Sequence, residues 1–441
     1  MPETYREAPV AGAVWLPAAS PDALERGDWW TLFGDPQLDR LVERVRVSNQ
    51  NVAAGVAAYA QAQALVREQR AARWPLLGLD ASARRSGGGA SVGNGGNTVQ
   101  ASLGASWEPD LWGRLGLGVT SAQAGAEASA ADLAAATLSA RAELATDYFS
   151  LREADAEIAV LRSTVEGYER SAQIARNRYE AGVAAKTDVL QAETLLANTR
   201  ADLVSLVGQR ARLEHAIAVL VGTAPGDFAI APGEWRGTVP AVPPGVPSTL
   251  LQRRPDIAAA ERTVASANAQ IGIQRSAYFP SLLLTASVGA GATSVADLFT
   301  ASGSLWALGL SVAQTIFDAG ATQARVAGAE AARDVAVARY RQTVLTAFQG
   351  VEDQLATSRA LVEQDVLRRE ASTAADAIEV QIMNRYRAGQ LGYTEVIIAQ
   401  VAALNARRAL LQLALARQAT AIALIAALGG GWHVDASAAG S

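Results

Sequence analysis

The 441-residue chain contains no cysteine, one lysine and two histidines. The lack of cysteine excludes a disulfide framework, a thiolate metal site and a cysteine nucleophile. The two possible imidazole ligands, His215 and His433, lie far apart in the sequence. No nucleophile, base and orienting group come together in any motif. We therefore predict that the protein is not an enzyme and that it carries no cofactor and no metal.

The chain also lacks a long hydrophobic run and a strong net charge. No stretch of 18 or more uncharged apolar residues occurs, and the nearest one, residues 409–428, carries Gln412, Arg417 and Gln418. No membrane-spanning helix is therefore predicted, and if the chain enters a membrane, strands must cross it. The net charge of −5 gives no electrostatic reason to bind nucleic acid.

The sequence is an internal duplication. Residues 178–182 read Arg-Tyr-Glu-Ala-Gly and return 207 positions later, at 385–389, as Arg-Tyr-Arg-Ala-Gly. Gly113 and Gly222 return at the same offset as Gly320 and Gly429. Landmarks that share one offset predict two copies of one structural unit.

Each copy contains two segments in which apolar and polar or small residues alternate, at 79–84 and 99–107 and again at 282–290 and 306–312. Alternation with period two predicts strands, of about the 9–11 residues that a tilted strand needs to cross a bilayer. Residues 114–180 contain no proline and few glycines, which predicts a helix of roughly 100 Å. The helices that follow in each copy carry leucines at seven-residue spacing, which predicts neighbours on two sides.

Together these patterns predict two repeats and the segments that flank them. Four strands per chain cannot close a barrel in lipid because the open edges would leave backbone groups unpaired, whereas three chains would supply twelve strands. The predicted divisions are an extended N-terminal arm (1–34), repeat 1 (35–222, with a strand hairpin at 76–108 and a helix turn near 181–187), a proline-rich linker (223–254), repeat 2 (255–429, with a hairpin at 282–316 and a turn near 388–394) and a disordered tail (430–441).

Several motifs are shared with a known family. They are Asp-Trp-Trp-Thr-Leu-Phe-Gly-Asp-Pro at 28–36, Trp-Glu-Pro-Asp-Leu-Trp-Gly-Arg at 107–114, the two Arg-Tyr-x-Ala-Gly turns, Arg-Arg-Pro-Asp-Ile at 253–257 and Leu-Gly-Gly-Gly-Trp at 428–432. Through them the chain resembles the outer-membrane efflux proteins of the TolC/OprM class, in particular the NodT-like lipoprotein branch. The resemblance covers about residues 5–432.

This resemblance implies a mixed α/β membrane protein of a Gram-negative bacterium. It would be a homotrimer whose 12-stranded outer-membrane β-barrel, surrounded by lipid, continues as a long periplasmic α-helical coiled-coil barrel. The implied function is the exit duct of a tripartite efflux pump, which passively exports drugs or other small molecules from an inner-membrane resistance-nodulation-division transporter through a periplasmic adaptor. No secretory signal is visible at Met1-Pro2-Glu3. Since members of this branch usually begin with a lipidated cysteine, we expect that the signal and that cysteine were removed.

The resemblance also assigns functional residues. The helix turns would be the periplasmic tips where the adaptor docks, and a gate would lie just inside them, with Asp188 and Glu395 at acidic positions and Tyr386 as the lock tyrosine. Tryptophans at strand ends predict aromatic girdles at the membrane interface. The docking residues would be Ala181, Gly182, Val183, Lys186, Gly389, Gln390 and Leu391, and the interface aromatics Trp107, Trp112 and Trp306.

Simpler explanations exist for some of these residues. Glycine at a helix turn is a common C-cap, and Asp188 could only stabilise the dipole of a helix N-terminus. Rings of three carboxylates would favour cations and raise one another's pKa. However, Leu391 stands where the lock often has arginine and Ile398 where a second acidic residue is usual, which predicts a weaker lock and a less cation-selective gate.

Two other functions remain open from the sequence. The duct could serve an ABC-type exporter instead of a resistance-nodulation-division transporter. A structural coiled-coil protein of the flagellin type is also free of cysteine and has long helices, although the tryptophan-bounded strands and the duplication argue against it.

Overall fold

The computed structural model of the chain describes residues 28–87, 96–242, 253–298, 300 and 303–431. Their long helices and four strands follow the same order in each repeat. The elements are α1 (Pro36–Ser48), α2 (Gln50–Ala71), β1 (Leu76–Arg85), β2 (Asn97–Trp107), α3 (Arg114–Glu180), α4 (Lys186–Leu220), α5 (Pro255–Ser276), β3 (Ser281–Ala292), β4 (Ser304–Ala313), α6 (Ala321–Arg387) and α7 (Tyr393–Ala427).

The segment before the first strand forms two helices, α1 and α2. Asp35 caps α1, since its Oδ1 accepts a hydrogen bond from the backbone N–H of Gln37 at 2.9 Å. The helix then breaks at Asn49, whose Oδ1 accepts from the N–H of Val52 and so caps α2. The amide Nδ2 of Asn49 donates to the carbonyl oxygen of Leu220 at 2.9 Å. A contact between residues so distant in sequence could not be seen from the residues around Asn49.

The predicted end segments differ from the structure where it describes them. Trp29–Phe33 forms a 3₁₀-helix instead of continuing the extended arm, because three of its aromatic side chains are buried. Gly430 lies in the turn that caps α7, where its N–H donates to the carbonyl of Ile425 at 2.9 Å, and so it does not begin the predicted tail. The rest of the predicted arm (1–27) and tail (432–441) lies outside the described residues.

The described residues divide into two compact units. The first takes its residues from 1–56, 132–256 and 344–441, and it contains the main hydrophobic core. In this core Phe33 packs on Phe149, with ring centroids 4.9 Å apart, and the Tyr148 hydroxyl donates to Asp35 at 2.6 Å. Arg152 then joins Tyr148 to Asp155, so that a buried polar network ties α1 to α3.

One described helix, α7, has the length and composition of a membrane-spanning helix. Its side chains Gln418, Ile422 and Ile425 are nevertheless buried in the core of the first unit. At these positions α7 therefore faces protein, as its polar residues predict.

The second unit takes its residues from 57–131 and 257–343 and contains the sheet. The strands lie in the order β1-β2-β3-β4 and all neighbours are antiparallel. The register aligns Leu79 with Leu103, Leu103 with Val288, and Val288 with Trp306. Since side chains alternate along a strand, these four residues share one apolar face, and the small and polar residues share the other.

Candidate gate at the helix turns

The two long helix pairs, α3–α4 and α6–α7, are joined by turns of the same construction, and both turns lie in the first unit. Gly182 (φ 72°) donates to the carbonyl of Tyr179, and Val183 donates to that of Arg178, both at 2.9 Å. Gly389 (φ 76°) and Gln390 make the equivalent pair of bonds at the repeat offset. This pattern is a Schellman motif, in which the left-handed position favours glycine. The C-cap explanation of both glycines is therefore correct.

The predicted docking residues lie in and next to these turns. Among them Val183 is 64% exposed and Leu391 is half-buried. The others are exposed, and they are Ala181, Gly182, Lys186, Gly389 and Gln390. The turns thus present a mainly accessible surface of small, apolar and polar groups.

Directly behind the turns lies a hydrophobic cluster that includes the predicted lock tyrosine. Tyr386 and Tyr393 are both fully buried in it, with ring centroids 5.3 Å apart in an edge-to-face arrangement. The other buried members are Ala172, Ala175, Val189, Ala192 and Val396. All four helices contribute, and so the cluster joins repeat 1 to repeat 2.

Arg178 is the residue that connects the cluster to the turns. Its Cζ lies 4.7 Å from the ring centroid of Tyr386, and its Nη1 donates to the carbonyl oxygen of Tyr386 at 2.5 Å. The Nε of Arg178 and the hydroxyl of Tyr386 are buried without a hydrogen-bond partner among the described residues. The contact between Arg178 and Tyr386 is therefore a cation stacked on an aromatic ring, and the tyrosine hydroxyl takes no part in it.

The two predicted acidic gate residues differ in exposure. Asp188 is half-buried in the first turn of α4, and Glu395 is exposed in the first turn of α7. Burial raises the pKa of the Tyr386 hydroxyl, the nearby Arg178 lowers it and the nearby Asp188 raises it. Burial also raises the pKa of Tyr393 above its usual range. Both hydroxyls are therefore neutral at neutral pH, and Asp188 is the acidic residue close to them.

Sequence reasoning missed two members of this site, Arg178 and Tyr393. Arg178 belongs to the repeated Arg-Tyr motif, which indicates the duplication and the family but does not predict a contact of the arginine. Tyr393 follows a glycine at the start of α7 and has no motif of its own. An open cavity of about 450 Å³ lies beside Arg178 and is lined by Ile174, Arg178, Val183, Arg387, Ala388 and Gly389.

In the second unit, Trp107 and Trp306 lie toward opposite ends of their own strands. Trp107 ends β2, and Trp112 follows it and stacks on Phe279 with centroids 4.8 Å apart. Trp306 is the third residue of β4, near the other end, and is 81% exposed. Further exposed aromatic residues that the prediction did not include lie in the segments that connect the strands to the helices. They are Trp74, Tyr278, Phe279 and Phe317.

Comparison with known proteins agrees with this architecture. Residues 41–223 and 246–430 match the sequence model of the family described as outer membrane efflux protein. The toluene efflux pump outer membrane protein TtgC of Pseudomonas putida is 32% identical, over 97% of this chain and 91% of TtgC. The cation efflux system protein CusC of Escherichia coli is 29% identical, over 93% of this chain and 90% of CusC.

A solved structure shows the same fold. The outer-membrane channel OprN superposes with a TM-score of 0.85 at 31% sequence identity, over 92% of each chain. The alternative of a structural coiled-coil protein of the flagellin type is therefore wrong, because the relatives are outer-membrane channels of efflux pumps. The chain belongs to the outer membrane efflux protein family: it is a mixed α/β outer-membrane protein with the fold of the trimeric channels, and it acts as the exit duct of an efflux pump.

Proposed function

We propose that the two helix turns form the periplasmic end of the duct, where a periplasmic adaptor docks, and that the Tyr386 cluster closes the passage there. Repeat 1 (35–222) and repeat 2 (255–429) each supply one turn. The observation that carries the proposal is the contact of Arg178 with Tyr386, which joins the two repeats directly behind two exposed turns.

The contact has a strength that suits a gate. An arginine stacked on an aromatic ring contributes about 0.5–2 kcal/mol, and a hydrogen bond from a charged donor about 1.5–3 kcal/mol. Separation of the two repeats would also expose the buried rings of Tyr386 and Tyr393. A partner that binds the separated turns better than the closed ones by a few kcal/mol would shift the population to the open state.

The acidic residues would act on the cargo after the gate opens. In a trimer, Asp188 would form a ring of three carboxylates beside the tyrosines, and such a ring favours cations. Glu395 is exposed and could form a second ring. Leu391 and Ile398 add no charge at their positions, and so we propose a modest preference for cations.

The cargo is proposed to be drugs or other small molecules delivered by an inner-membrane resistance-nodulation-division transporter. Relatives with similar chains are named for toluene efflux and for cation efflux. Such different cargoes on similar ducts support the view that the pump, and not the duct, selects the substrate.

The sheet is proposed to lie in the outer-membrane lipid with its apolar face outward. Leu79, Leu103, Val288 and Leu308 on this face are exposed in the single chain. Trp107 and Trp112 at one end and Trp306 near the other would anchor it at the two interfaces, where the amphipathic indole ring is favoured.

The docking proposal is tested by crosslinking in cells, which the absence of native cysteine makes specific. Single cysteines at Lys186 and at Gln390 are labelled with a short photo-crosslinker, and the captured proteins are identified by mass spectrometry. A cysteine at Val204, which is exposed on the same helix as Lys186, is the control.

We expect both turn positions to capture a periplasmic adaptor protein and Val204 to capture little of it. If the labelled protein is in the outer membrane and the turns capture only other copies of the chain, the turns are not the docking surface.

A further inference from the structure

The contact between Arg178 and Tyr386 has a counterpart in the sequence that the single chain leaves unmade. Exchanging the repeats at the offset of 207 maps Arg178 to Arg385 and Tyr386 to Tyr179. Both positions keep the residue type. The second repeat therefore carries the arginine, and the first the tyrosine, of an equivalent pair.

The environments of the two pairs differ strongly. Tyr386 is 1% exposed under Arg178, whereas Tyr179 is 43% exposed and Arg385 is exposed as well. Among the described residues, neither side chain of the second pair makes a hydrogen bond, an ion pair or a ring contact. An arginine and a tyrosine are thus paired where the two repeats meet within the chain. The equivalent arginine of repeat 2 and tyrosine of repeat 1 have no partner within the described part of the chain.

The geometry of the made contact shows what the unmade one needs. The carbonyl oxygen of Tyr386 accepts both from the N–H of Gly389 and from Arg178. The carbonyl oxygen of Tyr179 accepts from the N–H of Gly182 in the same way, and it has a second lone pair for an arginine. The acceptor and the ring at Tyr179 are therefore already in place.

The contact between the repeats is heterologous, because it joins the arginine flank of one unit to the tyrosine flank of the next. A heterologous contact repeats itself until the units close into a ring. In a trimer of duplicated chains, the flank of repeat 2 that carries Arg385 must meet repeat 1 of a neighbouring chain. We infer that Arg385 of one protomer stacks on Tyr179 of the next, so that the gate is a ring of six arginine–tyrosine contacts, three within chains and three between them.

The two kinds of contact are not chemically equal. The cavity beside Arg178 has the apolar residues Ile174 and Val183 and a second cation, Arg387. At the repeat offset these three positions are Gln381, Gln390 and Glu180. The contact between protomers is thus the more polar one and brings opposite charges together, and so we expect salt to weaken it more than the contact within the chain.

The inference extends the proposed gate and depends on the trimeric fold, but it does not require an adaptor. It is tested with the full-length protein in detergent by site-specific crosslinking. Two differently tagged chains are co-expressed, one carrying R385C and the other Y179C, and are treated with a short bis-maleimide. The double variant R178C/Y386C is the positive control for the contact within a chain.

We expect a covalent heterodimer from the mixed chains, a covalent trimer when R385C and Y179C are in the same chain, and neither from a single cysteine. The R178C/Y386C control should change only the mobility of the monomer. Absence of the heterodimer, while the control crosslinks and the trimer is intact by size, overturns the inference, and absence of any trimer overturns it as well.

Channel recordings provide a second readout. Loss of one stacked arginine should raise the ratio of open to closed channels by about 2- to 30-fold. R385A or Y179A removes all three contacts between the protomers of a trimer, and so we expect each variant to raise the ratio by at least about 10-fold when the three contacts open together. R368A, which removes another exposed arginine from α6, should leave the ratio unchanged. An effect of R368A as large as that of R385A would overturn the specific role of this pair.

Discussion

Gln418 accepts a hydrogen bond from the indole N–H of Trp235 at 2.9 Å. It occupies a position of the seven-residue repeat in α7 that is otherwise filled by Leu404, Leu411 and Ile425. Its amide Nε2 donates to the carbonyl oxygens of Thr238, at 2.9 Å, and Arg236. The side chain is fully buried. The polar residue that interrupts the heptad therefore holds the segment after repeat 1 against the last helix of repeat 2.

Replacement of Gln418 by leucine should destabilise the protein although the leucine fits the heptad. The indole N–H of Trp235 would lose its acceptor inside the protein, at a cost of about 1–3 kcal/mol. We expect a lower midpoint of thermal unfolding, followed by circular dichroism in detergent. Gln412→Leu, at an exposed position of the same helix, is the matched control and should leave the midpoint unchanged. Equal midpoints for the two variants would contradict this role of Gln418.

The glycines that end the helices should differ in their tolerance of alanine. Gly429 (φ 93°) has the carbonyl oxygen of Arg253 where a Cβ would be, whereas Gly182 (φ 72°) has nothing within 4 Å of that place. Gly182→Ala should therefore cost only the left-handed strain of about 1–2 kcal/mol. Gly429→Ala adds a clash with backbone and should reduce the yield of folded protein in isolated membranes much further. Similar yields for the two variants would contradict the close approach at Gly429.

Stability should fall as the pH rises through the range from about 5 to 7. Burial, then the charge of Glu157, raises the pKa of Glu153 from 4.5 to about 7, and burial and Glu143 raise the pKa of Asp147 to about 6. A raised carboxyl pKa means that the folded protein binds the proton more tightly than the unfolded chain. The stabilisation is complete below the unfolded pKa and is lost as the pH passes the folded one.

Glu153→Gln should therefore flatten this pH dependence and raise the unfolding midpoint at pH 8. Glu166→Gln removes an exposed carboxylate from the same helix and is the control. The measurement is the thermal midpoint of each protein from pH 5 to pH 8. A Glu153→Gln curve with the slope of the parent protein would contradict the assignment.

The two faces of the sheet should respond oppositely to a charge. Leu308 lies on the apolar face in line with Ala286, and Ala307 lies on the other face in line with Ser287. An arginine facing lipid near the middle of the bilayer costs about 2–4 kcal/mol, whereas positions facing the lumen accept charge. Leu308→Arg should reduce the protease-resistant protein in outer membranes, and Ala307→Arg should not. The reverse order would mean that the faces are assigned wrongly.

The strands and long helices could be predicted because their signals are local. Leu103, Ala105 and Trp107 alternate with small and polar residues, since only one face of the sheet is apolar. Four helices end at a glycine that recurs at the repeat offset, because glycine readily takes the left-handed backbone conformation common just after a helix. These glycines are Gly182, Gly222, Gly389 and Gly429. These signals need no knowledge of the rest of the chain.

The parts that could not be predicted depend on distant contacts. The break at Asn49 is stabilised by Leu220, and Arg178 of repeat 1 contacts Tyr386 of repeat 2. The resemblance indicated Tyr386 as the lock tyrosine, but it did not indicate that the ring and carbonyl of Tyr386, and not its hydroxyl, contact Arg178. The sequence also could not show that Asp188 is half-buried and Glu395 exposed, because the burial of each depends on the packing of the other helices.

The most direct test of the proposed gate compares Tyr386→Phe with Tyr386→Ala in single-channel recordings from planar bilayers, with intact trimers verified for each. The phenylalanine keeps the ring under Arg178 and the carbonyl that accepts its hydrogen bond, and it removes only a hydroxyl that has no partner among the described residues. We predict the low conductance of the parent protein for Tyr386→Phe and a markedly higher conductance for Tyr386→Ala. A parent-like conductance for Tyr386→Ala would contradict closure of the duct by this cluster.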